Sequence, residues 1–224
     1  MGRWERGNPA AVVGDDRGRP PLEPAGTTQA RSLVVRHGHP YIGAMGAPAK
    51  LTADDLLHLN LPDKRTELVR GVLVVREPAG YRHGEVAFRL AKVIGDHVAR
   101  HDLGRVLAAE TGFTLFTDPD TVRAPDVAFI SKARLPDPPP AGFATLAPDL
   151  VVEVLSPDDR PGEILAKVAD WLRAGCKLVW VVDPVRRRAR VYRANGSQSL
   201  LGEHDVLEGE GVLPGLTIRP AELL

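Results

Sequence analysis

The chain of 224 residues has a single cysteine, Cys176, so no intramolecular disulfide can brace it, and a reducing compartment suits it best. Aromatic residues make up only 5% of the sequence. That is little for stacking on sugars, which weakens a two-carboxylate glycosidase reading. Charge of one sign is not in excess. The 29 Lys and Arg cancel the 29 Asp and Glu, so no global field recruits a polyanion or an anionic membrane, and any such binding must use a local patch. No apolar run approaches the length of a membrane span or follows a signal-peptide pattern, and cytoplasmic residence is expected. Also missing are a Gly-rich phosphate loop ending in Lys-Ser/Thr, a dinucleotide fingerprint, a Cys-x-x-Cys pair and a Gly-x-Ser-x-Gly elbow, which removes the common routes to nucleotide, redox and serine-hydrolase chemistry.

What is present suffices for one core: 43% of residues are hydrophobic and 26% charged. Residues 1–48 are crowded with Gly, Pro and Arg and show no 3.6 or 2 period, so a disordered tail is expected there; a start at Met45 would remove it. Residues 49–224 read as a single domain. It opens with a short helix capped by Thr52, followed by a hairpin turning at Gly71 in RTELVRGVLVVREP and an amphipathic helix from Gly84 to about His101. Strands are expected near 105–109, 111–116 and 122–130. The run PDLVVEVLSPDD, a helix over about 162–174 and KLVWVVDP then form a strand–helix–strand crossover between parallel strands. Asn195-Gly196 marks a C-terminal hairpin, and a last strand is expected near 216–218. The fold class is therefore α/β in the broad sense, an α+β mixed sheet flanked by helices.

One residue is out of place in this pattern. Glu153 stands among Leu150, Val151, Val152, Val154 and Leu155, in a strand apolar on both faces. An ionised carboxylate there is costly unless a cation, a metal or hydrogen-bond donors answer it. Asp126, in VRAPDVAFI, follows a proline that suits the start of a strand or a bulge, where side chains can converge. Two hard oxygen ligands on adjacent strands are what a Mg²⁺ site needs, because that ion keeps several waters and takes only one or two carboxylates; Mn²⁺ could substitute. Such an ion lowers the pKa of a bound water and polarises a phosphoryl oxygen, the chemistry of phosphodiester hydrolysis.

The succession TELVRGVLVV, YRHGEVAFRL, APDVAFI, PDLVVEVLSP, GEILAKVADWLRAG and LVWVVDP resembles the Uma-type family, predicted restriction-endonuclease-like proteins of the PD-(D/E)xK nuclease superfamily. The resemblance spans roughly residues 51–220. It implies a restriction-endonuclease-like core and an Mg²⁺-dependent endonuclease hydrolysing DNA, with Asp126 and Glu153 as metal ligands, Glu67 supporting the site, and His83 in substrate contact or proton transfer. The superfamily lysine belongs two residues after the Glu, where this chain has Leu155. Lys167, on the next helix, occupies the matching family position and is expected to orient or deprotonate the attacking water or to stabilise phosphorane charge. A homodimer would suit the cutting of two antiparallel strands.

Each candidate has an ordinary structural alternative. Glu153 could pair with Arg123 or Arg173. Asp126 could cap a turn. Glu67 could lie on a solvated strand face near Arg65 and Arg70, and Lys167 could form an exposed i, i+4 pair with Glu163. His83 could be a surface residue opening a helix. His37 and His39 spell H-x-H in the tail without acidic neighbours, and Cys176 reads as a small core residue. Arg186, Arg187, Arg188, Arg190 and Arg193, interleaved with Tyr192, form the densest positive patch. They suit phosphate binding or, equally, an edge that discourages strand pairing. With leucine rather than lysine at position 155, a noncatalytic nuclease-fold module binding nucleic acid or a protein partner is the alternative to an endonuclease.

Overall fold

The computed structural model describes residues 50–223, so the expected tail, with Met45, His37 and His39, lies outside the described residues. The Thr52 hydroxyl accepts the Asp55 N–H and the Asp55 carboxylate accepts the Thr52 N–H, a reciprocal cap that starts α1 (Ala53–Leu57). The hairpin β1 (Arg65–Val69) and β2 (Val72–Arg76) closes on Arg70 and Gly71, with φ of 52° and 78°. Two left-handed residues in succession match the twist of the flanking strands. The long helix α2 (Tyr81–Arg100) starts three residues earlier than its apolar period suggested. Its buried stripe is His83, Val86, Leu90, Ile94 and Val98, so the histidine is the first member of the core-facing row.

The strands β3 (Gly104–Ala108), β4 (Phe113–Phe116), β5 (Thr121–Arg123) and β6 (Val127–Ser131) come next. The single strand expected over 122–130 is thus two strands in different sheets. Pro125 lacks an N–H, and the chain uses that break to pass from one sheet to the other through Ala124, Pro125 and Asp126. The crossover is as expected: β7 (Leu150–Val154), α3 (Pro161–Arg173) and β8 (Leu178–Asp183), with β7 and β8 parallel. The hairpin β9 (Arg188–Arg193) and β10 (Gln198–Leu201) turns at Gly196, φ 83°. The chain finishes with β11 (Leu207–Glu208), β12 (Thr217–Ile218) and α4 (Pro220–Leu223).

Among the described residues the strands form a mixed six-stranded sheet ordered β10-β9-β8-β7-β6-β3, an antiparallel four-stranded sheet ordered β2-β1-β5-β4, and a β11-β12 ribbon. On one face of the large sheet the α2 row packs on Phe129, Leu150, Val152, Val154 and Trp180. On the other, Val168 and Trp171 of α3 pack on Ala128, Val151, Val179 and Val181. Alternation along β7 therefore turns Glu153 toward α3, in the row of Val151. Among the described residues no helix is long and apolar enough to cross a membrane.

Asp149 ties the entrance of β7 to its neighbours. It is fully buried; its carboxylate accepts the Ser131 N–H at 2.9 Å and ion-pairs with Lys177 at 2.8 Å and Arg134 at 3.0 Å. Burial alone would raise its pKa, but the Lys177 ammonium, the Ser131 N–H and Arg134 together hold it down at about 2. A depressed carboxylate stabilises the fold above its unfolded pKa and loses that contribution as pH falls through the folded one. Asp149→Asn is expected to cost about 1–3 kcal/mol at neutral pH. Denaturant titration between pH 7 and pH 2 should show the deficit shrinking below pH 4; a constant deficit would contradict this role.

Candidate active site

The site lies where the two sheets meet. Asp126 sits one residue before β6, where its N–H still donates to the Val152 carbonyl at 3.1 Å. Its side chain then takes over the ladder, with Oδ2 accepting the Val154 N–H at 2.7 Å. The carboxylate is thereby fixed beside Glu153 on the adjacent strand. Its other oxygen, Oδ1, faces His83 Nε2 at 2.9 Å, and His83 Nδ1 lies 3.1 Å from the Ser156 hydroxyl just past the end of β7. His83 is buried, not a surface residue.

Glu153 is answered from α3. Lys167 Nζ donates to its Oε2 at 2.8 Å and Trp171 Nε1 to its Oε1 at 2.8 Å. The arginines considered as partners are engaged elsewhere: Arg173 lies over the Phe116 ring, and Arg123 bonds Glu67 and Asp170. Lys167 does not form the exposed pair with Glu163. Its ammonium is buried and also bonds the Ala124 carbonyl at 3.0 Å and Glu67 at 3.1 Å, while Glu163 reaches Arg76 on β2 at 3.3 Å. Glu67 is buried as well. It accepts from Arg123 at 3.0 Å and from the Ala124 N–H at 3.0 Å, which clamps β1 to the segment entering Asp126.

Three carboxylates, Glu67, Glu153 and Asp170, share two permanent cations, Lys167 and Arg123, and a fourth, Asp126, stands beside them with the Val154 N–H and His83 as its partners. Carboxylates therefore outnumber permanent cations in a largely dry cluster. The shared lysine does not serve both glutamates equally. Burial opposes the charge on Glu67, yet Lys167, Arg123 and the Ala124 N–H bring its pKa down to about 2. For Glu153, burial together with repulsion from Asp126 and Glu67 outweighs Lys167 and pushes the pKa up to about 7. Lys167 is pushed above its ordinary value by Glu153 and Glu67 despite its burial, so it stays protonated. The lysine is thus a hydrogen-bond donor carrying a fixed positive charge in this arrangement.

Among the described residues no group of three or more His, Cys, Asp or Glu side chains is arranged to close around an ion. The candidate donor set is two carboxylates, Asp126 and Glu153, in a cluster where carboxylates outnumber permanent cations. That fits a hard divalent ion which keeps much of its water shell. A cleft of about 250 Å³ opens onto Asp126 and His83 and is also lined by Arg65 and Glu110. Glu110 escaped the sequence reading because it sits in the turn after β3 with no periodic signal. Burial raises its pKa; Arg65, 3.8 Å away, opposes this and Asp126 adds to it, so its charge faces the site. Ser156, Trp171 and the Arg123–Asp170 pair were likewise missed, since their partners are remote in sequence.

The five arginines do not stay together. Strand alternation puts Arg188, Arg190 and Tyr192 on the α3 side, where with Arg186 they line a larger groove of about 660 Å³ that also includes Ser156. Asp183 pairs with Arg186 at 3.1 Å and Arg188 at 3.5 Å, while Arg190 bonds the neutral Gln198. Arg187 and Arg193 are instead paired with Glu203 and with Glu210 (2.7 Å for the latter), outside the groove.

A mixed sheet with helices on both faces, broken at a Pro-Asp step beside an apolar central strand that carries one glutamate, defines a restriction-endonuclease-like fold. The same fold occurs in a crystal structure described as a putative nuclease belonging to DUF820 from Anabaena variabilis: 22% identity, TM-score 0.68, covering 77% of this chain and 97% of that one. No curated protein matches the chain. Residues 53–221 match the Uma2 family, described as "Putative restriction endonuclease", and the chain belongs to that family.

Removing the lysine should expose the charge imbalance. Lys167→Met leaves Glu153 without its cation, and a stability loss of roughly 3–5 kcal/mol is expected at pH 8. A carboxylate with a raised folded pKa destabilises as pH rises through that value, so the loss should be smaller at pH 5, where Glu153 is protonated. Urea denaturation at the two pH values checks this; equal losses would mean that the contribution of Lys167 does not run through the charge of Glu153.

Proposed function

We propose that the chain is a divalent-metal-dependent endonuclease that hydrolyses phosphodiester bonds in DNA, using Mg²⁺ or Mn²⁺. The observation that carries the reading is the 2.8 Å contact of Lys167 with Glu153 beside Asp126. The lysine that the superfamily motif would put two residues after Glu153 is supplied in space from α3, which supports the catalytic reading over a noncatalytic scaffold despite Leu155. Asp126 and Glu153 would hold the ion. When bound, it supplies a water of lowered pKa and a positive charge for the phosphoryl oxygens.

The remaining work falls to this chain's own groups. Lys167 donates from one side of the site and offsets developing negative charge in a dry setting where a fixed donor counts most. Glu67 is a positioning residue: its low pKa keeps it ionised, and it holds both Lys167 and the Ala124 N–H. His83 lines the open cleft with Asp126 and can pass a proton between Asp126 and Ser156 or contact the substrate.

Asp126→Ala and Glu153→Ala should abolish Mg²⁺- or Mn²⁺-dependent nicking of plasmid DNA and the calorimetric signal of metal binding. Cleavage unchanged in either variant would refute the assignment. Glu67→Gln should lower the cleavage rate by about 10–100-fold while metal binding persists, as expected for a residue that orients others.

A further inference from the structure

Beside the site runs the groove of about 660 Å³, within the roughly 300–1,000 Å³ of cavities that take organic ligands. It starts at Ser156, the residue whose hydroxyl meets His83, and runs between α3 and the β9–β10 hairpin. Its two kinds of lining are unusual together. Leu165, Val185 and Leu200 are large side chains left 53%, 64% and 54% exposed, and Tyr192 adds a ring to the same surface. The same groove is lined by Arg186, Arg188 and Arg190. The single carboxylate of Asp183 serves the first two, and Arg190 has no carboxylate partner among the described residues. Asp159, also in the groove, is offset by Arg76 at 3.4 Å. The groove therefore keeps a surplus of positive charge.

Exposed apolar side chains interleaved with guanidinium groups have a definite complement. A duplex hides its base faces and would meet only the arginines, leaving the leucines, the valine and the tyrosine in water. An unpaired strand offers both parts at once, phosphates for the guanidinium groups and base faces for the apolar side chains. We propose that this groove seats an unpaired stretch of nucleic acid leading into the Asp126–Glu153 site, so that the substrate is single-stranded or carries a single-stranded arm. The proposal rests on the nuclease reading for where the strand leads, and on the groove alone for how it is held.

Binding and cleavage are measured separately, with the full chain. Fluorescence anisotropy in EDTA would compare labelled oligonucleotides of about 12 nucleotides as single-stranded DNA, single-stranded RNA and blunt duplex. At least tenfold tighter binding of a single strand than of the duplex is expected, and the DNA and RNA arms identify which strand is preferred. Arg190→Gln should weaken single-strand binding about three- to tenfold and make its salt dependence shallower by about one contact. Leu200→Ser should weaken it without changing the salt slope, whereas the exposed α2 variant Lys92→Gln should match the wild type.

Equal or tighter binding of duplex, or groove variants that bind like the wild type, would overturn the proposal. So would light scattering that shows a dimer dissociated by Leu200→Ser, because the groove would then be covered by a second copy. If no substrate is cut but the single-strand preference and its groove dependence hold, the nuclease reading fails and the groove assignment stands. Cutting of duplex without any single-strand preference gives the opposite result.

Discussion

The site depends on one buried ammonium. Lys167 reaches from α3 across to β7, where it meets Glu153, to β1, where it meets Glu67, and to the carbonyl of Ala124 in the connection between β5 and β6. No other side chain in the cluster touches all three. A lone charge in such a place would cost several kcal/mol, and it is tolerable because all three contacts are acceptors. Of the two metal-ligand candidates, Glu153 is held by it directly. Asp126 is anchored by its backbone and by Val154, Glu153 is drawn toward α3, and the ammonium stands at the carboxylate of Glu153.

Much of this organisation is legible in local sequence patterns. The parallel pair β7–β8 follows from two apolar runs separated by one amphipathic helix, and the two tight hairpins follow from Arg70-Gly71 and Asn195-Gly196. The buried position of Glu153 follows from its neighbours. What local pattern hides is the division of the chain at Pro125. The apolar residues on both sides of it look continuous, and only the pairing partners, β1 and β4 for β5 and β3 and β7 for β6, reveal two strands. Those partners are distant in sequence and leave no local trace.

The charged stripe of α3 was the most deceptive feature. Glu163, Lys167 and Asp170 stand at i, i+4 and i+7, and the first two look like an exposed ion pair. The structure turns that stripe toward the small sheet, pairing Glu163 with Arg76, Lys167 with Glu67 and Asp170 with Arg123. Helical period alone cannot separate a face turned to water from a face turned to another charged surface. The arginine-rich segment shows a related effect. Its alternation along β9 is readable from a period of two, but the pairing of Arg187 and Arg193 with Glu203 and Glu210 comes from the later strands and turns.

The stripe has a consequence for behaviour on heating. An apolar seam between two sheets gains little as temperature rises. The desolvation penalty of an ion pair falls, because the hydration of charged groups becomes less favourable when hot. The attachment of the β1–β2 hairpin to α3 is made largely of such pairs. This seam should therefore soften less on warming than the leucine- and valine-lined contacts of the large sheet, keeping the lysine in register with its glutamates close to the temperature at which the core itself gives way.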